Sequence, residues 1–154
     1  MVGFSLRAAR LEDLQDIIAL LADDELGRKR EEVGSTPAQC YVEAFQAIAA
    51  DPRHLLAVAL KDGRLVGTLQ LTFLPGLSRR GMWRGQIESV RIAAAERNAG
   101  LGQQMFEWAI SQCRMRGCRV IQLTTDKTRR DAHRFYDWLG FRASHEGYKL
   151  MLES

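Results

Sequence analysis

The stretch from Gln86 to Gln104 constrains the fold of this chain more than any other. Its first part, Ile87 to Ile92, mixes β-branched residues with charge over the length of one strand. After Gly102 the apolar positions Met105, Phe106, Ala109, Ile110 and Cys113 recur at helical spacing and make one stripe. Between strand and helix sits a turn holding Gly100 and Gly102. A helix N-terminus leaves its first backbone N–H groups unpaired and carries the positive end of the helix dipole, so this turn outlines an anion site. The two glycines would let a pyrophosphate approach those donors closely.

Spacing narrows the choice of anion. Neither the mononucleotide loop Gly-x-x-x-x-Gly-Lys-Ser/Thr nor the dinucleotide pattern Gly-x-Gly-x-x-Gly occurs here. What occurs is Arg97-x-x-Gly100-x-Gly102, preceded five residues earlier by the aliphatic Ile92. This resembles the Arg/Gln-x-x-Gly-x-Gly/Ala signature of the GCN5-related N-acetyltransferases (GNAT), whose loop holds the pyrophosphate of acetyl-coenzyme A. Further on, Arg129-x-x-Ala132-x-x-x-Tyr136-x-x-x-Gly140-Phe141 is similar to the family's Asn-x-x-Ala-x-x-x-Tyr-x-x-x-Gly-Phe. The departure is Arg129, where asparagine is common.

The rest of the chain reads in order. Phe4 to Ala8 has the pattern of a strand, and Asp13, Ile17, Ile18 and Leu21 mark a first helix. Asp23 to Ser35 is polar and reads as loop or frayed helix. Ser35 or Thr36, with Pro37 in the first turn, predicts a second helix running to Asp51-Pro52. His54 to Leu60 and Arg64 to Phe73 predict a hairpin around Asp62-Gly63. Pro75 to Gly81 is a connecting loop. Arg119 to Thr125 predicts a strand, Asp131 to Leu139 a helix ended by Gly140, and Phe141 with Tyr148 to Leu152 a closing strand pair. That order matches the acetyltransferase architecture over nearly the whole chain. The resemblance implies an α/β (α+β) fold, a mixed central sheet of about six to seven strands with helices on both faces, in a single N-acetyltransferase domain over residues 1–154.

Composition bounds the alternatives. A length of 154 residues suits one domain with a real core. The three cysteines are odd in number and form no Cys-x-x-Cys pair, and the three histidines are scattered, so reduced thiols and no metal site are expected. No apolar run approaches the ~20 residues of a membrane span and the N-terminus does not read as a signal peptide, so a cytoplasmic protein with no membrane partner is expected. The net charge of +3 raises nucleic-acid binding as a rival class. The basic clusters at Arg28 to Arg30, Arg79 to Arg84 and Lys127 to Arg130 read as solvated loops, and no nucleic-acid partner is expected. A basic surface also suits a co-substrate carrying several phosphate charges.

The resemblance implies attack of an amine on the thioester of acetyl-coenzyme A, which is a co-substrate. By similarity, Arg97 and the backbone N–H groups of Asn98, Ala99, Gly100, Leu101, Gly102 and Gln103 would hold the pyrophosphate. Arg129 reads either as a partner of a cofactor phosphate or as a solvated arginine at the helix start. The backbone of Val90 and Ile92 would pair with the pantetheine arm as an added strand would, the Val90 amide facing the thioester carbonyl. Tyr136 fits the general acid that protonates the departing thiolate, or else an aromatic packing helix against sheet. Phe135 and Trp138 read as core. With period-two alternation Glu88 shares a face with Gln86, Val90 and Ile92. Partial burial there would raise its pKa and make it a base, acting directly or through water. The other reading of Glu88 is a structural carboxylate paired with Arg91 or Arg64. The acceptor implied is a primary amine of a small molecule or peptide, shaped by Asp23 to Ser35 and by Pro75 to Arg84, whose acidic and basic signals leave its charge open. The alternative function is a non-catalytic acyl-coenzyme A sensor. An edge at the closing strands would suit a homodimer.

Overall fold

Asp62 and Gly63 both adopt left-handed φ, 51° and 78°, the pair of conformations that a tight hairpin turn requires. They join β2 (His54–Lys61) to β3 (Arg64–Leu74) in the antiparallel pair that the Asp-Gly signal predicts. The computed structural model describes residues Gly3 to Glu153, which cluster into two compact units, one up to Gln122 and the other from Leu123 on.

In the first unit β1 (Phe4–Ala8) pairs antiparallel with β2, and β4 (Arg84–Ile92) pairs antiparallel with β3. On the outer side of β4 lies β5 (Val120–Leu123), giving the order β1-β2-β3-β4-β5. The Arg119 N–H donates to Trp83 O at 3.0 Å and the Gln122 amide donates to Gln86 Oε1 at 2.9 Å. These partners advance in the same direction along both strands, so β5 runs parallel to β4 and the sheet is mixed.

Alternation along β3 assigns the two faces. Leu69, Leu71 and Phe73 are buried on one, against the helix α5 (Leu101–Met115), whose Met105, Phe106, Ala109 and Cys113 are buried in turn. The approach is close: a Cβ at Gly67 would lie 2.8 Å from Met105 Sδ, and one at Gly85 would collide with Cys113 Sγ. Burial pushes the Cys113 thiol up to about 11, as expected of a cysteine that serves as a small apolar side chain. The other face carries α1 (Leu14–Ala22), which buries Leu14, Ile17, Ile18 and Leu20, and α3 (Gln39–Ala50). Each fully buried aliphatic side chain contributes about 1.5–3 kcal/mol.

Helix α1 is entered through a 3₁₀ turn, Leu11–Asp13. Asp13, 8% exposed, accepts the Arg10 N–H at 2.7 Å and both Arg7 guanidinium nitrogens at 2.7 and 3.1 Å. The Arg7 guanidinium holds the Asp13 carboxyl below the usual carboxylate range.

Several expectations change. Helix α3 begins at Gln39 with the extended Ala38 before it, not at Ser35 or Thr36 with Pro37 inside. The Tyr41 hydroxyl takes the Glu32 N–H at 2.8 Å and bonds Glu31, and the Gln15 amide bonds Gly34 O, so side-chain bonds hold the preceding segment as a loop. That loop contains one short helix, α2 (Gly27–Arg30). Residues 75–83 carry a further single turn, α4 (Ser78–Gly81), with Arg79 and Arg80 in left-handed conformation.

Among the described residues the sheet has five strands, not six to seven. Among the described residues after Gly140 no strand forms; Tyr148, Leu150, Met151 and Leu152 are exposed and Phe141 is half-buried. The Arg142 to Gly147 run supplies no two-residue turn that would fold one half of the expected pair onto the other.

In the second unit α6 (Arg130–Leu139) ends at Gly140, φ 100°. Its closing bonds run from Gly140 N–H to Asp137 O and from Phe141 N–H to Tyr136 O, both 3.0 Å. These are the two bonds of a Schellman cap. Trp138 is 67% exposed, so it is not core as its apolar character suggested; Phe135 is half-buried.

Candidate active site

Strand β4 does not keep its period. Glu88 lies opposite Gln70 and Arg91 opposite Thr68, so Ser89 and Val90 together face the single residue Leu69. Ser89 takes the left-handed conformation, φ 54°, that makes this bulge. A non-glycine residue there is strained by roughly 1–2 kcal/mol, and such strain gathers at functional sites. The bulge turns the faces over. Gln86, Glu88 and Arg91 stand with Thr68 and Gln70 on the α1 side, whereas Ile87 and Ile92 stand with Leu71 and Gly67 on the α5 side. Glu88 therefore does not share a face with Val90 and Ile92 as uninterrupted alternation implies.

Glu88 is also exposed, so the burial on which its role as a base leaned is absent. Neither expected partner meets it: Arg91 Nε lies 3.4 Å from Asp24, and Arg64 lies 3.9 Å from Glu96, which Lys61 binds at 2.8 Å. The bonds to Arg119 and Gln122 fall on Trp83 and Gln86, at the start of β4 and ahead of the bulge. An edge of a strand without a neighbour keeps backbone groups that a ligand can pair.

Just after β4 the chain makes a 3₁₀ turn, Ala94–Glu96, and then the exposed loop Arg97, Asn98, Ala99 and Gly100. Asn98 and Gly100 are both left-handed, φ 65° and 81°. Gly100 starts α5 with no side chain capping it, so the first N–H groups of the helix, at Leu101, Gly102 and Gln103, face the N-terminal end unclaimed by a cap. The first helical bond is Gln104 N–H to Gly100 O. Leu101 is buried and anchors the turn, while Gly102 is half-buried. The Arg97 guanidinium bonds Ile92 O at 3.2 Å and Asp23 O at 3.4 Å. It ties the loop to the end of β4 and to the segment after α1.

On the α1 side, beside Ser89, the sheet and the helices α1 and α3 line a half-open cavity of about 140 Å³. Gln70 and Ser89 reach it from the sheet. Nothing in the motifs announced this cavity, because its walls come from five separate elements. The bulge itself left a signal: Gln86, Ile87, Glu88, Ser89, Val90, Arg91 and Ile92 alternate polar and apolar except for the doublet Glu88-Ser89, where the frame shifts.

The structure thus places Glu88, Val90, Ile92 and Arg97 to Gln103 in the first unit, with Arg97 bonded to Ile92, and Arg129 and Tyr136 in the second. Arg129 is the residue before α6. Tyr136 is half-buried, its ring 6.1 Å from that of Phe141 and 6.0 Å from that of Phe135, edge to face in both cases. Tyr136 and Phe141 are the two positions whose apolar contact accompanies a Schellman cap. The spacing Tyr136-x-x-x-Gly140-Phe141 therefore has a structural reason of its own, independent of chemistry. Among the described residues no group of three potential ligands gathers for a metal, and no helix is long and apolar enough to cross a membrane.

Comparison with known proteins agrees with this geometry. The chain is 31% identical over 140 residues to the aminoalkylphosphonate N-acetyltransferase of Salmonella typhimurium, covering 91% of this chain and 86% of that protein. It is 30% identical over 151 residues to the glucosamine 6-phosphate N-acetyltransferase of Trypanosoma brucei brucei, covering 92% and 100%. A crystal structure of a transcriptional regulator from Bacillus halodurans C-125 matches with a TM-score of 0.94 at 48% identity, over 97% of this chain and 99% of that one. Residues 15–141 match the model of the Acetyltransferase (GNAT) family. The strand, the glycine turn and the uncapped helix are those of a chain that belongs to the GNAT family, an N-acetyltransferase that moves an acetyl group from acetyl-coenzyme A to an amine.

Proposed function

We propose that the acceptor is a primary amine of a small molecule, that it approaches β4 from the α1 side, and that the reaction takes place at the Ser89-Val90 bulge. The observation that carries this reading is the bulge itself, a strained break in β4 beyond the residues bonded to Arg119 and Gln122, with an uncapped helix N-terminus following it. In this reading the N–H groups from Asn98 to Gln103 bind the pyrophosphate through backbone and helix dipole, and Arg97 acts by holding their loop rather than by touching phosphate. Arg129 binds a further phosphate of the co-substrate. The open edge of β4 at Val90 and Ile92 receives the pantetheine amides, and the Val90 N–H donates to the thioester oxygen as negative charge develops there.

The chemistry balances as one acyl transfer. The neutral amine forms an N–C bond to the thioester carbonyl carbon and the C–S bond breaks. Glu88, directly or through water, takes the proton the amine nitrogen loses, and the Tyr136 hydroxyl gives one to the thiolate. An exposed carboxylate competes with water for this work, so Glu88 also serves by drawing a cationic amine to the bulge, where the amine gives one proton to water before it attacks. The two units act as a single N-acetyltransferase domain, since the family match at residues 15–141 runs across their boundary. The protein is assigned to the cytoplasm, with its free cysteines reduced. It is assigned as a homodimer in which association covers the exposed Tyr148, Leu150, Met151 and Leu152; sedimentation as a monomer at micromolar concentration would remove that assignment.

Release of free thiol from acetyl-coenzyme A across a panel of small amines, amino acids, polyamines and peptides tests the proposal. Turnover of small primary amines is expected. Turnover confined to peptides would overturn the acceptor class. Tight coenzyme binding with no thiol release from any amine would mark a sensor, in keeping with the regulator from Bacillus halodurans.

A further inference from the structure

The two acetyltransferase relatives are named for acceptors that carry a phosphonate or a phosphate. The cavity beside Ser89 is built for something else. Helix α1 lines it with Leu14, Ile17 and Leu21, and α3 with Tyr41, Phe45 and Ile48. No residue of the lining carries a formal charge, and the Tyr41 hydroxyl is already engaged by Glu31 and the Glu32 N–H. A phosphate placed there would lose its hydration with no cation to replace it. The volume of about 140 Å³ is that of a cavity able to hold a benzene-sized group.

Apart from the engaged Tyr41 hydroxyl, polarity lies on the sheet side. Gln70 and Ser89 contribute to the lining, and Glu88 stands directly opposite Gln70 on the same face of the sheet. Cross-strand neighbours of this kind have Cβ atoms roughly 5 Å apart, so the Glu88 carboxylate is next to this end of the cavity. It forms no ion pair among the described residues, whereas nearby Asp24 is taken by Arg91. An apolar chamber with one available carboxylate beside its polar end complements a molecule with an apolar body and a cationic head.

We propose that the acceptor is a primary amine bearing an apolar group of about six carbons, aromatic or branched aliphatic, which fills the cavity between α1 and α3 while its amine lies at the Glu88-Ser89 end. This rests on the reading of the bulge as the site of acetyl transfer and names the substrate class for it. Ala44, an exposed α3 residue that also lines the cavity, offers a way to fill it without disturbing the core.

Calorimetric binding of 2-phenylethylamine, 2-aminoethylphosphonate and ethylamine to the full chain saturated with coenzyme A tests the assignment, with thiol release from acetyl-coenzyme A measured separately. Binding of 2-phenylethylamine is expected to be at least about tenfold tighter than that of the phosphonate, as burial of a ring implies. Ala44→Phe should weaken 2-phenylethylamine by about tenfold and leave ethylamine and coenzyme A unchanged. Ile48→Ala, which enlarges the chamber, should shift preference toward 4-phenylbutylamine and reports on the same cavity if Ala44→Phe does not fold. Equal or tighter binding of the phosphonate, or no response of 2-phenylethylamine to either variant, overturns the proposal. Selective binding without thiol release would leave the cavity assignment standing and remove the bulge as the site of transfer.

Discussion

The buried apolar residues all lie between Leu14 and Cys113; from Leu123 onward no described residue is buried. The first unit holds the β4 bulge between two packed layers. Ser89 stays left-handed because β3 pairs on either side of the bulge, and Gly100 stays left-handed because Leu101 and Met105 anchor the helix it starts. The second unit presents Tyr136 on a helix whose end is fixed by a local cap and an aromatic pair. The difference teaches where each kind of damage should appear. Changes in the first unit should register in stability and coenzyme affinity, and changes on α6 should register in turnover.

Tyr136→Phe is the strongest challenge to that contrast. If the hydroxyl protonates the thiolate, kcat should fall about a hundredfold or more with coenzyme affinity and melting temperature unchanged, because the ring that packs on Phe141 remains. Near-normal single-turnover rates would leave the tyrosine as a capping aromatic and nothing more.

Asp13→Asn should do the reverse. It breaks a largely buried charge-assisted pair and should lower stability by about 2 kcal/mol without touching turnover. The pH dependence sharpens the point. The folded Asp13 carboxyl titrates below its unfolded value of 3.8, so its stabilisation is complete above that value and is lost as pH falls through the lower folded one. Denaturant titrations from pH 6 to pH 2 should show an acid-labile contribution in the parent that the asparagine variant lacks.

Gly102→Val places a branched side chain beside the unclaimed N–H groups of α5. The dissociation constant for acetyl-coenzyme A should rise about tenfold, from obstruction of the backbone approach, with the fold retained. An unchanged constant would move the pyrophosphate elsewhere.

The smallest effect belongs to Trp138→Ala. A side chain on a residue 67% exposed contributes little, and the melting free energy should change by no more than about 0.5 kcal/mol. A larger loss would show that α6 is held by more than its cap.

The Asp62-Gly63 hairpin, the start of α5 and the Gly140 stop of α6 were legible because each is fixed by neighbours in sequence. Left-handed turns, helix caps and period-two or helical stripes are decided within a few residues. The loop from Arg97 to Gln103 was legible for the same reason. The expected closing strands were not, since a strand exists only where a distant partner completes its ladder. The face presented by Glu88 was lost to one inserted residue, because a strand of period two inverts its faces with every such insertion. Pairing of Arg97 and Arg91 with the acidic pair Asp23 and Asp24 joins residues some seventy positions apart, and no local rule selects those partners. The sequence by itself determined where a glycine turn opens an uncapped helix and, through the motif there, which family the chain belongs to. Tertiary structure alone decided the shape and neutrality of the chamber between α1, α3 and the sheet, since a cavity is a property of walls brought together by packing and belongs to none of them singly.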